Sequence, residues 1–255
     1  MSVLSEESQE WPPYITPNEA TVDAALLKGD FSSADHYASE VIERHRRYPE
    51  QTLPTDLFHT LVKQIALPSY KRVYGYLYGQ QDVFSGPLAS EVSAVYGSTV
   101  DLLQKLRRIM TETKPSSEQY YNYVGYTSEL TVMALICRAN RGETDDQYDI
   151  LPSLRCSDRG TKTRPGEPRD GFDFILIDYE TERDKYLQVK TTATPGEQYS
   201  NTITMVIASE LAGGTHLELR QLQAALIAEC SGKETEEQLR RIEQASQRLA
   251  DVIHP

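Results

Sequence analysis

Gln188 and Lys190 stand two apart in the run KYLQVKT, so an extended chain turns both side chains to one face and Val189 to the other. Asp173 interrupts a run that is otherwise apolar, Phe172 before it and Phe174 to Ile177 after it. Glu129 precedes a stretch, 130–137, that is apolar on almost every side. A hard divalent cation takes oxygen ligands, and this set offers the carboxylates of Asp173 and Glu129, the amide oxygen of Gln188 and the backbone carbonyl of Val189. Such a cation acidifies a coordinated water and offsets charge building on a phosphoryl oxygen. Lys190 beside it can orient the water and stabilise the same charge. Placed among apolar strand neighbours, a lysine calls for such work or for a carboxylate partner. The chemistry these residue types suit is hydrolysis of a phosphodiester. The plainer alternative is that Asp173 and Lys190 form a cross-strand ion pair on a half-exposed sheet, which stabilises little.

The elements that must position them follow from periodicity. Residues 120–139 read as one buried helix carrying Glu129. Residues 171–179 and 185–191 are aromatic and β-branched runs on either side of the charged ETERD, which predicts a hairpin. Residues 149–156 are a further strand candidate, 201–208 read as a strand or the start of a helix, and from Thr215, past a Gly-Gly break, the pattern predicts helix almost to the end with an interruption near Ser231 and Gly232. Before this unit, 35–47, 55–66 and 99–110 repeat apolar residues at three and four, with Asp35 and Thr55 as N-caps. The connector-like TETKPSSEQ sets a boundary: 1–117 as a helical region for recognition or dimerisation, 118–255 as the domain that carries the chemistry. The expected class is α/β, with a small mixed sheet flanked by helices.

Composition narrows the function classes. The net charge is −12 over 255 residues, which argues against indiscriminate binding to nucleic acid, since phosphates are held largely by Lys and Arg. Against that background the segment 155–169 is locally basic, and Arg155, Arg159, Lys162, Arg164 and Arg169 are candidate phosphate contacts. The Tyr-rich piece 70–79 can stack bases but at helical spacing is more often core. Three dispersed cysteines without a CxxC pair suit a reducing, cytoplasmic setting, and no apolar run is long enough to cross a bilayer. The five histidines lack ligand spacing, so each is read as packing or surface, and there is no Walker motif, GxGxxG or GxSxG.

Glu129 in VGYTSEL, Asp173 in GFDFILID and Gln188-Val189-Lys190 in YLQVKTT together resemble the PD-(D/E)xK, or restriction-endonuclease-like, nuclease superfamily. The likeness is to the branch with Gln at the second acid position, as in Mrr-like proteins and relatives of the Holliday junction resolvases. It covers the C-terminal half only. The resemblance implies Mg²⁺ (or Mn²⁺) held by Glu129 and Asp173, completed by Gln188, with Lys190 assisting the attacking water. It further implies a DNA substrate, a homodimer, and a role in restriction, defence or DNA processing. Pro is absent before Asp173 and Gln188 is neutral, both departures from the family pattern. The rival is a non-catalytic subunit of nuclease fold, whose acidic N-terminal region docks a protein partner.

Overall fold

A computed structural model describes residues 89–112, 116–140, 148–152, 173–178, 183–192, 200–207 and 210–253, with single helical positions at 43, 47, 58, 61, 62 and 65. The elements in order are α1 (Ala89–Glu112), α2 (Ser117–Ala139), β1 (Tyr148–Pro152), β2 (Phe174–Asp178), β3 (Arg183–Thr192), β4 (Ser200–Ile207), β5 (Glu210–Glu218), α3 (Leu219–Cys230) and α4 (Glu236–Ile253). The fold mixes helix and strand, as the sequence predicts. The basic segment 155–169, with Arg155, Arg159, Lys162, Arg164 and Arg169, and the Tyr-rich piece 70–79 lie outside the described residues.

Local chemistry starts and stops the helices that matter for the site. Ser116 opens α2 through a reciprocal cap: its hydroxyl accepts from the Gln119 N–H at 3.4 Å, and the Gln119 side chain accepts from the Ser116 N–H at 3.0 Å. From Tyr123 to Cys137, α2 is buried on nearly every face. The hydroxyls of Thr127 and Thr131 donate back to the carbonyls of Val124 (3.2 Å) and Thr127 (2.6 Å), which lets polar residues sit in that core. Between α3 and α4 the chain turns at Gly232 (φ 62°). There Lys233 N–H donates to Ala228 C=O and Gly232 N–H to Glu229 C=O, both at 3.0 Å, a left-handed helix stop that needs glycine.

The five strands form a sheet in sequence order, β1-β2-β3-β4-β5, with all four pairings antiparallel. The expected mixed sheet is therefore corrected. Connections 179–182, 193–199 and 208–209 are too short for the crossover that parallel neighbours require. A second correction concerns Gly213 and Gly214, which sit inside β5 rather than before a helix; the helix begins at Leu219. Along 213–219 inward and outward residues alternate with a period of two, and in so short a run pairing with β4 selects strand over helix. Both β3 and β5 turn alternate residues inward: Lys185 and Leu187, then Leu217, are buried. The inward face receives α2, α3 and α4.

One hydrophobic core runs from Phe58 and Leu61 through α1 and α2 to Leu249 and Ile253. Phe58 stacks on Tyr126 of α2 at 4.1 Å between ring centroids. That core crosses the boundary expected at 117 without interruption. Further ties join α1, α2 and α3: Glu229 accepts from the Tyr96 hydroxyl and, at 2.8 Å, from Arg138 Nε.

Candidate functional site

The site begins where the pairing of β2 with β3 runs out. Phe174 is the last residue of β2 in register, opposite Leu187. One residue earlier, the Asp173 N–H still donates to the Leu187 carbonyl at 2.9 Å. The Asp173 carboxylate then turns to β3, and its Oδ2 accepts the Val189 N–H at 2.6 Å. A side-chain oxygen thus takes the place of a ladder carbonyl. The N–H and C=O of one residue in an extended strand point to the same side, so the Val189 carbonyl is directed toward Asp173 as well.

Burial along β3 separates the other members. Leu187 is buried and Val189 half-buried against the core, whereas Gln188 is half-buried and Lys190 exposed. Gln188 and Lys190 therefore share the outer face, with Val189 turned inward. Lys190 departs from one expectation: it stands in solvent, not among apolar side chains, so its position requires no buried partner. It acts on Asp173 through charge, without a direct salt bridge among the described residues, which disfavours the simple ion-pair alternative.

Glu129 reaches the same place from the opposite side. It projects from α2, which packs on β3, and is half-buried. Burial raises its carboxyl well above the usual carboxylate range, and the charge of Asp173 raises it further. Burial also raises Asp173, against the opposing pull of the Val189 N–H and the Lys190 ammonium. Two carboxyl groups from distant parts of the chain thus interact in a poorly solvated place, with one cation nearby. Such a pair has two ways to lower its energy: share a proton or share a cation.

Among the described residues no three His, Cys, Asp or Glu side chains gather closely enough to hold a metal. A cation here would draw its remaining protein ligands from neutral oxygens. Two further residues bear on the surroundings: Lys185, which carries no reading of its own in the sequence, and His216, which reads there only as packing or surface. Lys185 is buried on the inward face of β3, and its Nζ donates to the carbonyl of Ile253 at 2.6 Å, clamping the end of α4. The signal was legible, since Lys185 is in phase with Leu187 and Val189. His216 lies exposed on β5, and only strand pairing relates it to Lys190. No family model, curated protein or solved structure matches this chain. Among the described residues no helix is long and apolar enough to cross a membrane.

Proposed function

We propose that the chain is a Mg²⁺- or Mn²⁺-dependent nuclease that hydrolyses phosphodiester bonds in DNA, with a core of the restriction-endonuclease-like kind. The observation that carries this reading is the meeting of Glu129 and Asp173, two desolvated carboxyl groups, beside Lys190. The residues present suit a hard divalent ion. Glu129 and Asp173 supply anionic oxygens, and the Val189 carbonyl and Gln188 amide supply neutral ones, a donor set of the kind such ions take. When bound, the ion supplies Lewis acidity and an acidified water.

The chain's own part is to orient and to exclude. The Val189 N–H holds one Asp173 oxygen in place and leaves the other to a ligand. The buried residues on either side of Glu129 in α2 fix the backbone from which it projects. Exposed Lys190, on the face where a polyanion can approach, brings positive charge to the phosphoryl oxygens. The substrate class, dimeric state and role in restriction, defence or processing belong to the same proposal, as does cytoplasmic residence.

The test is cleavage of duplex, branched and single-stranded DNA with Mg²⁺ or Mn²⁺, in the wild type and in Lys190→Ala and Asp173→Asn. Activity is expected in the wild type and loss of at least about a hundredfold in each variant. Undiminished cutting by Lys190→Ala removes that lysine from the mechanism. One observation favours the non-catalytic rival: the Asp173 hydrogen bond to Val189 gives the carboxylate a structural task of its own. Absence of cutting on every substrate, with intact fold, selects that rival.

A further inference from the structure

The outer face of the sheet carries side chains that hydrolysis at Asp173 leaves unused. Lys190 pairs with Thr202 of β4, and Thr202 pairs with His216 of β5. Directly opposed residues of adjacent strands share a face, so the three form one row across the sheet. Exposure agrees with the register. Lys190 and His216 are exposed, whereas the preceding row of Val189, Ile203 and Thr215 has both its outer members half-buried. Two strand spacings separate the ends of the row, roughly 10 Å.

The neighbouring rows frame it. On one side Gln188, Thr204 and Gly214 are in register, so the row that starts at the candidate site ends on an exposed glycine, which adds no side chain to the surface. On the other side Thr192, Ser200 and Glu218 are in register, and exposed Glu218 closes the track with negative charge. Among the residues of β3 and β5 whose exposure is described, the exposed ones on this face are Lys190, Thr192, Gly214, His216 and Glu218, none of them apolar. That composition does not suit the apolar anchors of a protein interface. A cation and an N–H donor in line, running outward from the site, suit a string of phosphates.

Resting on the phosphodiesterase reading, we propose that His216 is a second phosphate-contact residue, aligned with Lys190 across β4 and holding the same nucleic-acid strand one or two nucleotides from the scissile bond. An imidazole donates an N–H in either protonation state, so the contact needs no change of charge. The spacing fits, since successive phosphates of one strand lie farther apart than the axial rise of about 3.4 Å, so roughly 10 Å spans one or two of them. His216 is a binding and positioning residue and touches no reacting atom.

The test is fluorescence anisotropy of labelled single-stranded and duplex DNA oligonucleotides with the full chain, in Ca²⁺, for wild type, His216→Ala, His216→Gln and Lys190→Ala. His216→Ala is expected to weaken binding three- to tenfold, and His216→Gln, which keeps an N–H donor, to recover most of it. Lys190→Ala is expected to weaken binding and lower the salt slope by about one ion. Thermal unfolding of the same samples with Mn²⁺, with Asp173→Asn as reference, tests the hydrolytic reading separately. Affinity of His216→Ala within twofold of wild type, with Lys190→Ala weakened, overturns the His216 contact and leaves that reading standing. Loss of affinity in His216→Ala without any Asp173-dependent Mn²⁺ shift supports the phosphate contact and discards the metal site. Failure of the wild type to bind either oligonucleotide overturns the contact.

Discussion

Replacing Glu129 by Gln is expected to stabilise the protein when divalent ions are removed and to destroy its response when they are added. In the ion-free protein, Glu129 is held above the usual carboxylate range first by burial and then by Asp173. A carboxyl whose folded value is raised binds its proton more tightly in the folded state. Its stabilising contribution is complete at acid pH and is lost as pH rises from the unfolded value through the folded one. Above the unfolded value the folded wild type therefore carries the cost of this perturbation, whether it keeps the proton or buries the charge beside Asp173, whereas Gln keeps the shape and a hydrogen-bonding oxygen without titrating. Contacting groups couple by about 0.5–3 kcal/mol, so a gain of about 1–2 kcal/mol is expected. At about 2–4 °C per kcal/mol for a chain of this size, the ion-free midpoint rises by roughly 2–8 °C. Divalent ion at a hundred times its Kd adds about 2.7 kcal/mol to the wild type, roughly 5–11 °C, and little to the variant. The two proteins should exchange order of stability between EDTA and Mn²⁺ in a thermal melt followed by circular dichroism. A Glu129→Gln protein that is less stable than wild type in EDTA, or one that shifts as much in Mn²⁺, refutes the reasoning.

Asp173→Ala leaves the Val189 N–H without its acceptor and is expected to cost about 1–3 kcal/mol in urea titration, whereas Asp173→Asn keeps an acceptor and costs less. Equal losses in the two would show that the hydrogen bond is not what Asp173 contributes to the fold. Lys185→Ala removes the charged donor at the end of α4 and is expected to cost about 1.5–3 kcal/mol, with faster amide exchange confined to the last turn before Ile253. Arg138→Ala leaves Glu229 with Tyr96 alone in a half-buried place and is expected to cost about 1–3 kcal/mol; a change below about 0.5 kcal/mol by denaturant midpoint would assign the pair no role in joining α2 to α3. Leu135→Ala, in the fully buried stretch of α2, is expected to cost about 2–5 kcal/mol.

Local chemistry made much of the scaffold legible in the chain. The helix that carries Glu129 announces itself by its apolar stretch at 130–137, because burial acts along one element, whereas its Ser116 cap lies in a piece that reads as a connector. The hairpin of β2 and β3 is legible for the same reason: two strand-forming runs flank a charged turn, and the spacing of Gln188 and Lys190 makes them share a face wherever the strand lies. Pairing is not local, and there the sequence by itself gave out. Whether 210–218 becomes a strand depends on β4 lying beside it, and the direction of every pairing depends on which strands meet. Only the folded chain places Glu129 on the inner side and Lys190 on the outer side of the β3 strand, with the Asp173 carboxylate replacing a ladder carbonyl between them. The raised proton affinities of the two carboxyls have the same origin, because desolvation and mutual charge are properties of neighbours in space and not of neighbours in sequence.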